Sequence, residues 1–125
     1  MTGPGSSISE AFQAFVKEAP EHSRAWGQMV QGVSAASALD AKTSALAYLA
    51  VLAAMRLEGG IPFHVHAAKQ SGASRDEVIS AILIGLPAAG LGVTQVLRAA
   101  IATYDAPGEK PVDTESRSDQ FTAKQ

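Results

Sequence analysis

The 125-residue chain has no cysteine. Every thiol, disulfide or thiolate-metal mechanism needs a sulfur nucleophile, so this absence closes all of them to the protein. Charge is sparse as well: 18% of residues are charged and the formal net charge is -2. The basic residues Lys17, Arg24, Lys42, Arg56, Lys69, Arg75 and Arg98 are scattered along the chain. Nucleic acid requires a concentrated basic footprint, and an anionic membrane surface requires a basic amphipathic stretch, and neither is present. The uninterrupted apolar run 45–55 is too short to span a bilayer. Small polar residues open the chain where a secretory signal would need charge and then an apolar run, so the expected location is cytoplasmic. Strand alternation with hairpin turns is missing too, which excludes an all-β fold.

What is present is apolar and helical. The hydrophobic fraction is 46%, high for a small domain, and part of that surface is expected to meet another subunit. The expectation is an all-α bundle of about six helices in one domain over residues 9–105. It follows a flexible leader (1–8) and precedes a disordered tail (106–125) with too little to bury. Ser9 caps a first helix that ends before Pro20, and a second runs over 21–33 with Trp26, Met29, Val30 and Val33 on one face, Gly32 weakening its last turn. Asp40 caps a third, nearly all-round buried helix that stops at Gly59-Gly60. Pro62 and Gly72 bound a fourth, and Ser74 with Glu77 forms a capping box for a fifth, which Pro87 should kink or break. The last helix covers 91–104. Gly90 and Gly92 follow no strand and form no phosphate fingerprint, so they read as packing and kink residues.

Candidate chemistry is confined to a few side chains. On a helical wheel His64 shares an arc with Ile61, Val65 and Ala68, while His66 points the opposite way with Pro62, Lys69 and Gln70. The expectation is an inward His64 and a water-facing His66. Residues two apart on a helix diverge, so the pair makes a poor chelate and no metal is expected. A lone inward histidine has a plain alternative role in completing the core. Glu58 lies just across the Gly59-Gly60 turn. If both side chains face one pocket, the negative end of the third helix favours a protonated Glu58 and the positive end of the fourth favours a neutral His64, which makes an acid and base pair. Glu58 has its own plain alternative, solvation or pairing with Arg56. His22, in a polar stretch, reads as surface.

The segment Leu39-Asp40-Ala41-Lys42-Thr43, the apolar helix, His64-Val65-His66-Ala67-Ala68 and Gly72-Ala73-Ser74-Arg75-Asp76-Glu77-Val78 together resemble the carboxymuconolactone decarboxylase and alkylhydroperoxidase D superfamily. The likeness covers residues 39–104, and Phe12, Phe15, Pro20, Glu21 and Trp26 look loosely like the leading helices. The peroxidase branch carries a Cys-x-x-Cys pair and an upstream glutamate, and the matching positions here hold Leu57, Gly60 and Ala45. Only its histidine, at His64, remains, so peroxidase activity is chemically unsupported. The decarboxylase branch has a glutamate at the position of Glu58 and a histidine at that of His64; a further acid seen in that branch falls at Gly60.

The resemblance implies a homotrimer or homohexamer with sites near subunit contacts. It also implies a cofactor-independent lyase or isomerase acting on a small carboxylate or lactone. His64 and Glu58 would be its catalytic residues, and Arg56 or Arg98 would hold a substrate carboxylate. The competing reading is a non-catalytic oligomeric binding module in which His64 only completes the core.

Overall fold

A computed structural model describes residues 8–107, and they are helical with no strand among them. The leader and tail readings fall almost wholly outside the described residues. By contacts the chain divides into two units, and among the described residues the boundary along the chain falls between Ala38 and Leu39.

In the first unit, α1 (Glu10–Glu18) is capped by the Ser9 side chain, which accepts from the Phe12 N–H at 3.1 Å. Pro20 then opens α2 (Pro20–Ala36) in its first turn, where its missing N–H costs nothing. Phe12, Phe15 and Trp26 join the two helices edge to face, with ring centroids 5.2–6.4 Å apart. α2 outruns its expected end, passing Gly32 to reach Ala36. The expected apolar face is only half used, because Trp26 and Val30 are partly covered while Met29 and Val33 are exposed.

In the second unit, Asp40 caps α3 (Ala41–Ala54) by accepting from the Thr43 N–H at 2.8 Å. A 3-10 turn (Glu58–Gly60) leads into α4 (Ile61–Gln70), followed by α5 (Arg75–Leu83). Next come the short α6 (Leu86–Ala89), a 3-10 stretch (Gly90–Val96) and α7 (Leu97–Asp105). Leu49, Ile61, Val65, Val78, Ile82, Val93 and Val96 are fully buried and form the core where α3 meets α4 and α5, and α4 meets α7. Each such side chain contributes about 1.5–3 kcal/mol of transfer free energy.

Polar ties fix the ends of these helices. The Ser74 and Glu77 capping box is complete, and Glu77 also pairs with Lys42 at 2.9 Å, which joins the starts of α3 and α5. The Lys42 hydrogen bond chiefly, with the cap, holds the Glu77 carboxyl below its usual range. Arg75 grips Asp105 with two hydrogen bonds of 2.9 and 3.1 Å, and the Tyr104 hydroxyl donates to the Ala73 carbonyl at 2.8 Å.

Of three expectations about the helix ends, two need correction. First, α3 stops at Ala54, well before the glycines, because the chain turns at Arg56. It is also buried on one side only, with Tyr48, Val51 and Met55 roughly half exposed or more along a stripe of its other face. Second, the expected break at Pro87 is there: α5 ends at Leu83, four residues before it, and Pro87 sits in the first turn of a new helix, α6, where no N–H is needed. Third, the first half of the expected last helix is 3-10, beginning at Gly90 with φ +80. The whole run Arg75–Asp105 has the length and hydropathy to cross a membrane by composition alone. In this structure its buried residues, among them Val78, Ile82, Val93 and Val96, supply the core of the second unit.

Candidate functional site

His64 owes its position to the stripe beside it. Ile61, Val65 and Ala68 recur at helical spacing and are fully buried, and His64 lies on the flank of that stripe and is half-buried. Its ring lies against Tyr48 of α3 (centroids 4.3 Å apart, planes at 44°) and edge-on to Phe63 at 5.1 Å. Gly60 borders the same spot: a Cβ there would stand 3.4 Å from both methyls of Leu52 and 3.9 Å from Cδ2 of His64.

No hydrogen bond or ion pair from any described residue reaches the His64 ring, and burial alone lowers its pKa to about 4. At pH 7 the protonated fraction is then about one in a thousand, so the imidazole is a neutral acceptor. Neutrality was the expected state, but its cause is desolvation instead of the helix dipole.

The other expected residues are less closely gathered. Glu58 is exposed in the 3-10 turn and forms no ion pair with His64, so the acid and base pair is not assembled within the chain. Arg56 is exposed and adopts φ +57 at the end of α3, with its guanidinium against Gly92. Arg98 is exposed on α7 and lines a shallow concavity with Thr94, Leu97, Ile101 and Ala102. Another concavity lies in the first unit between Val16 and Gln31, and His64 lines neither. His66, expected in water, is half-buried, whereas His22 is exposed as expected. Among the described residues, no three histidines or carboxylates converge as metal ligands would.

The sequence reading missed Tyr48 and, although it took Gly92 for a packing residue, missed what packs there. Tyr48 covers the His64 ring, and its one signal was being the sole polar-tipped side chain in the run 45–55. Gly92 leaves the space that the Arg56 side chain fills, and no spacing rule links residues 36 positions apart.

With this geometry in place, comparison with known proteins gives one result. Residues 20–103 match the model of the carboxymuconolactone decarboxylase family, a stretch that includes α2 and every candidate residue named above. No curated protein and no solved structure matches.

Proposed function

The chain belongs to the carboxymuconolactone decarboxylase family, and on that premise we propose that it is a cofactor-independent lyase or isomerase for a small carboxylate or lactone, with His64 as its proton carrier. The observation that carries this reading is a half-buried imidazole, neutral at pH 7 and with no hydrogen-bond partner among the described residues. Among the described residues no buried side-chain nitrogen or oxygen lacks a partner, so the unbonded ring nitrogens of His64 are open to solvent, where a substrate can reach the lone pair that a reacting group must keep.

The reaction starts with His64 as acceptor. It takes a proton from a carbon next to a carbonyl and returns it elsewhere on the substrate, as an isomerase does. For decarboxylation it must first gain a proton, and a substrate carboxylate nearby helps by favouring the imidazolium. Arg56 holds a carboxylate, Arg98 is the alternative anchor, and Glu58 serves as an auxiliary acid when a neighbouring subunit brings it close. Tyr48, which lies against His64, and Val51 and Met55 farther along the same exposed stripe of α3 support a homotrimer or homohexamer in which a second copy walls the site and excludes water. The same reading keeps the protein in the cytoplasm.

The test is a thermal-shift screen of small carboxylates and lactones, followed by turnover assays on wild type and His64→Gln. The proposal expects a hit whose turnover His64→Gln abolishes while the oligomer persists. Unchanged turnover in that variant would end it. The absence of His64 from both concavities favours one other reading, a non-catalytic binding module. In that case His64→Gln changes stability, and no compound in the screen is turned over.

A further inference from the structure

Arg56 is the one described non-glycine residue with positive φ. Its backbone closes the end of α3 as a Schellman turn: the Arg56 N–H donates to the Ala53 carbonyl at 3.1 Å and the Leu57 N–H to the Leu52 carbonyl at 2.9 Å. Glycine fills such a position without strain, and an arginine there is strained. Its side chain is also seated. A Cβ built on Gly92 would collide with the Arg56 guanidinium, with Nε and Nη2 equally near and Cζ farther. Because Cζ is the most distant of the three, the guanidinium presents its Nε/Nη2 edge to Gly92 and not its face. Gly92 does not adopt positive φ, so its backbone makes no demand for glycine. The Arg56 side chain is what requires the missing Cβ. The guanidinium is exposed and has no hydrogen bond or ion pair with any described residue.

We propose that Arg56 is a prebuilt carboxylate anchor and that Gly92 is its positioning residue. The turn uses the Arg56 backbone to close two α3 carbonyls but makes no use of the charge, which no described residue pairs, so the cation is what the turn leaves for a ligand. With the side edge set against Gly92, the Nη1/Nη2 edge remains, offering two parallel N–H groups that match a carboxylate. Fixing the long side chain in advance removes much of the entropy cost of that pairing. The inference rests on the reading of a carboxylate-bearing substrate given above.

The experiment is a succinate titration of the full chain, followed through the side-chain Nε–Hε signals of 15N-labelled arginine and through Tm. Wild type should show one arginine signal, lost in Arg56→Lys, that moves with succinate. In Gly92→Ala the atoms in the way are the tip of a flexible side chain, which swings aside. That variant should keep its fold and Tm yet bind succinate about tenfold more weakly or worse. Arg56→Gly should abolish binding and raise Tm as the strain is relieved. Turnover in His64→Gln is measured separately and tests the catalytic reading alone, so the two can fail independently. Undiminished binding in Gly92→Ala, no binding to wild type, or a lower Tm in Arg56→Gly would each overturn it, the last by showing Arg56 to be a structural strut.

Discussion

α3 and α4 end in the same hydrogen-bonded turn, closed by different residues. At the end of α4 the Gly72 N–H reaches the Lys69 carbonyl at 3.0 Å and the Ala73 N–H the Ala68 carbonyl at 2.9 Å, with Gly72 at φ +94. At the end of α3 the same two bonds form around Arg56 at φ +57. Glycine makes the turn without steric cost, so the α4 end is there for the fold alone. Arginine makes it under strain, although two glycines stand only a few residues downstream. Under the proposal above, the α3 end trades that ease for the side chain it presents, and the segment between the two turns is the one that carries His64.

The largest effect should come from removing the packing beneath the strained turn. Leu52 is the last-turn residue whose carbonyl closes it, and it is nearly fully buried with its methyls beside Gly60. Leu52→Ala should cost about 2–5 kcal/mol in denaturant unfolding. It should also loosen the α3 end more than the α4 end, measurable as hydrogen exchange at Leu57 against Ala73.

Next is the histidine between the turns. Its folded pKa of about 4 lies below the ordinary 6.5, so as pH falls the unfolded chain takes up the proton first. Stability should be level above about pH 6.5 and fall toward pH 4, by on the order of 3 kcal/mol in total. Asp40, Glu77 and Asp105 also have lowered pKa values and weaken the fold in acid. The diagnostic quantity is therefore the difference between wild type and His64→Gln across that window, and two parallel curves would contradict the burial of the ring.

The two smallest effects address the turns themselves and should have opposite signs. Gly72→Ala meets no atom within 4 Å, so its cost is conformational alone, about 1–2 kcal/mol lost. Arg56→Gly relieves about 1–2 kcal/mol of left-handed strain and returns part of it as unfolded-state entropy, leaving a gain of about 0.5–1 kcal/mol. Both can be read from urea midpoints at constant m-value. Equal signs would show that the two turns do not differ in the way described.

Much of the fold was legible because it is encoded locally. Ser9, Asp40 and the Ser74 and Glu77 pair cap the helices they were expected to cap, and Gly72 ends α4 where expected. Capping involves residues three apart, so a sequence displays it directly. His64 was expected to face inward with Ile61, Val65 and Ala68, and it stands half-buried on the flank of that stripe, since only the three aliphatic residues are fully covered. The errors arose where a residue had two permissible roles. Gly32 can weaken a turn or be carried through it, and an apolar run such as 45–55 can be buried on one side or on all.

The sequence by itself determined that the protein is helical, where most helices begin, that sulfur chemistry is closed to it, and that one histidine stands on an apolar flank. These depend on composition and on contacts within a turn or two. Only the tertiary structure decided that Tyr48 covers His64, that Glu58 leaves it unpaired, and that Arg56 turns the chain and rests its side chain against Gly92. Those facts join residues far apart in the chain, and close packing, which no local periodicity records, sets which distant side chains meet.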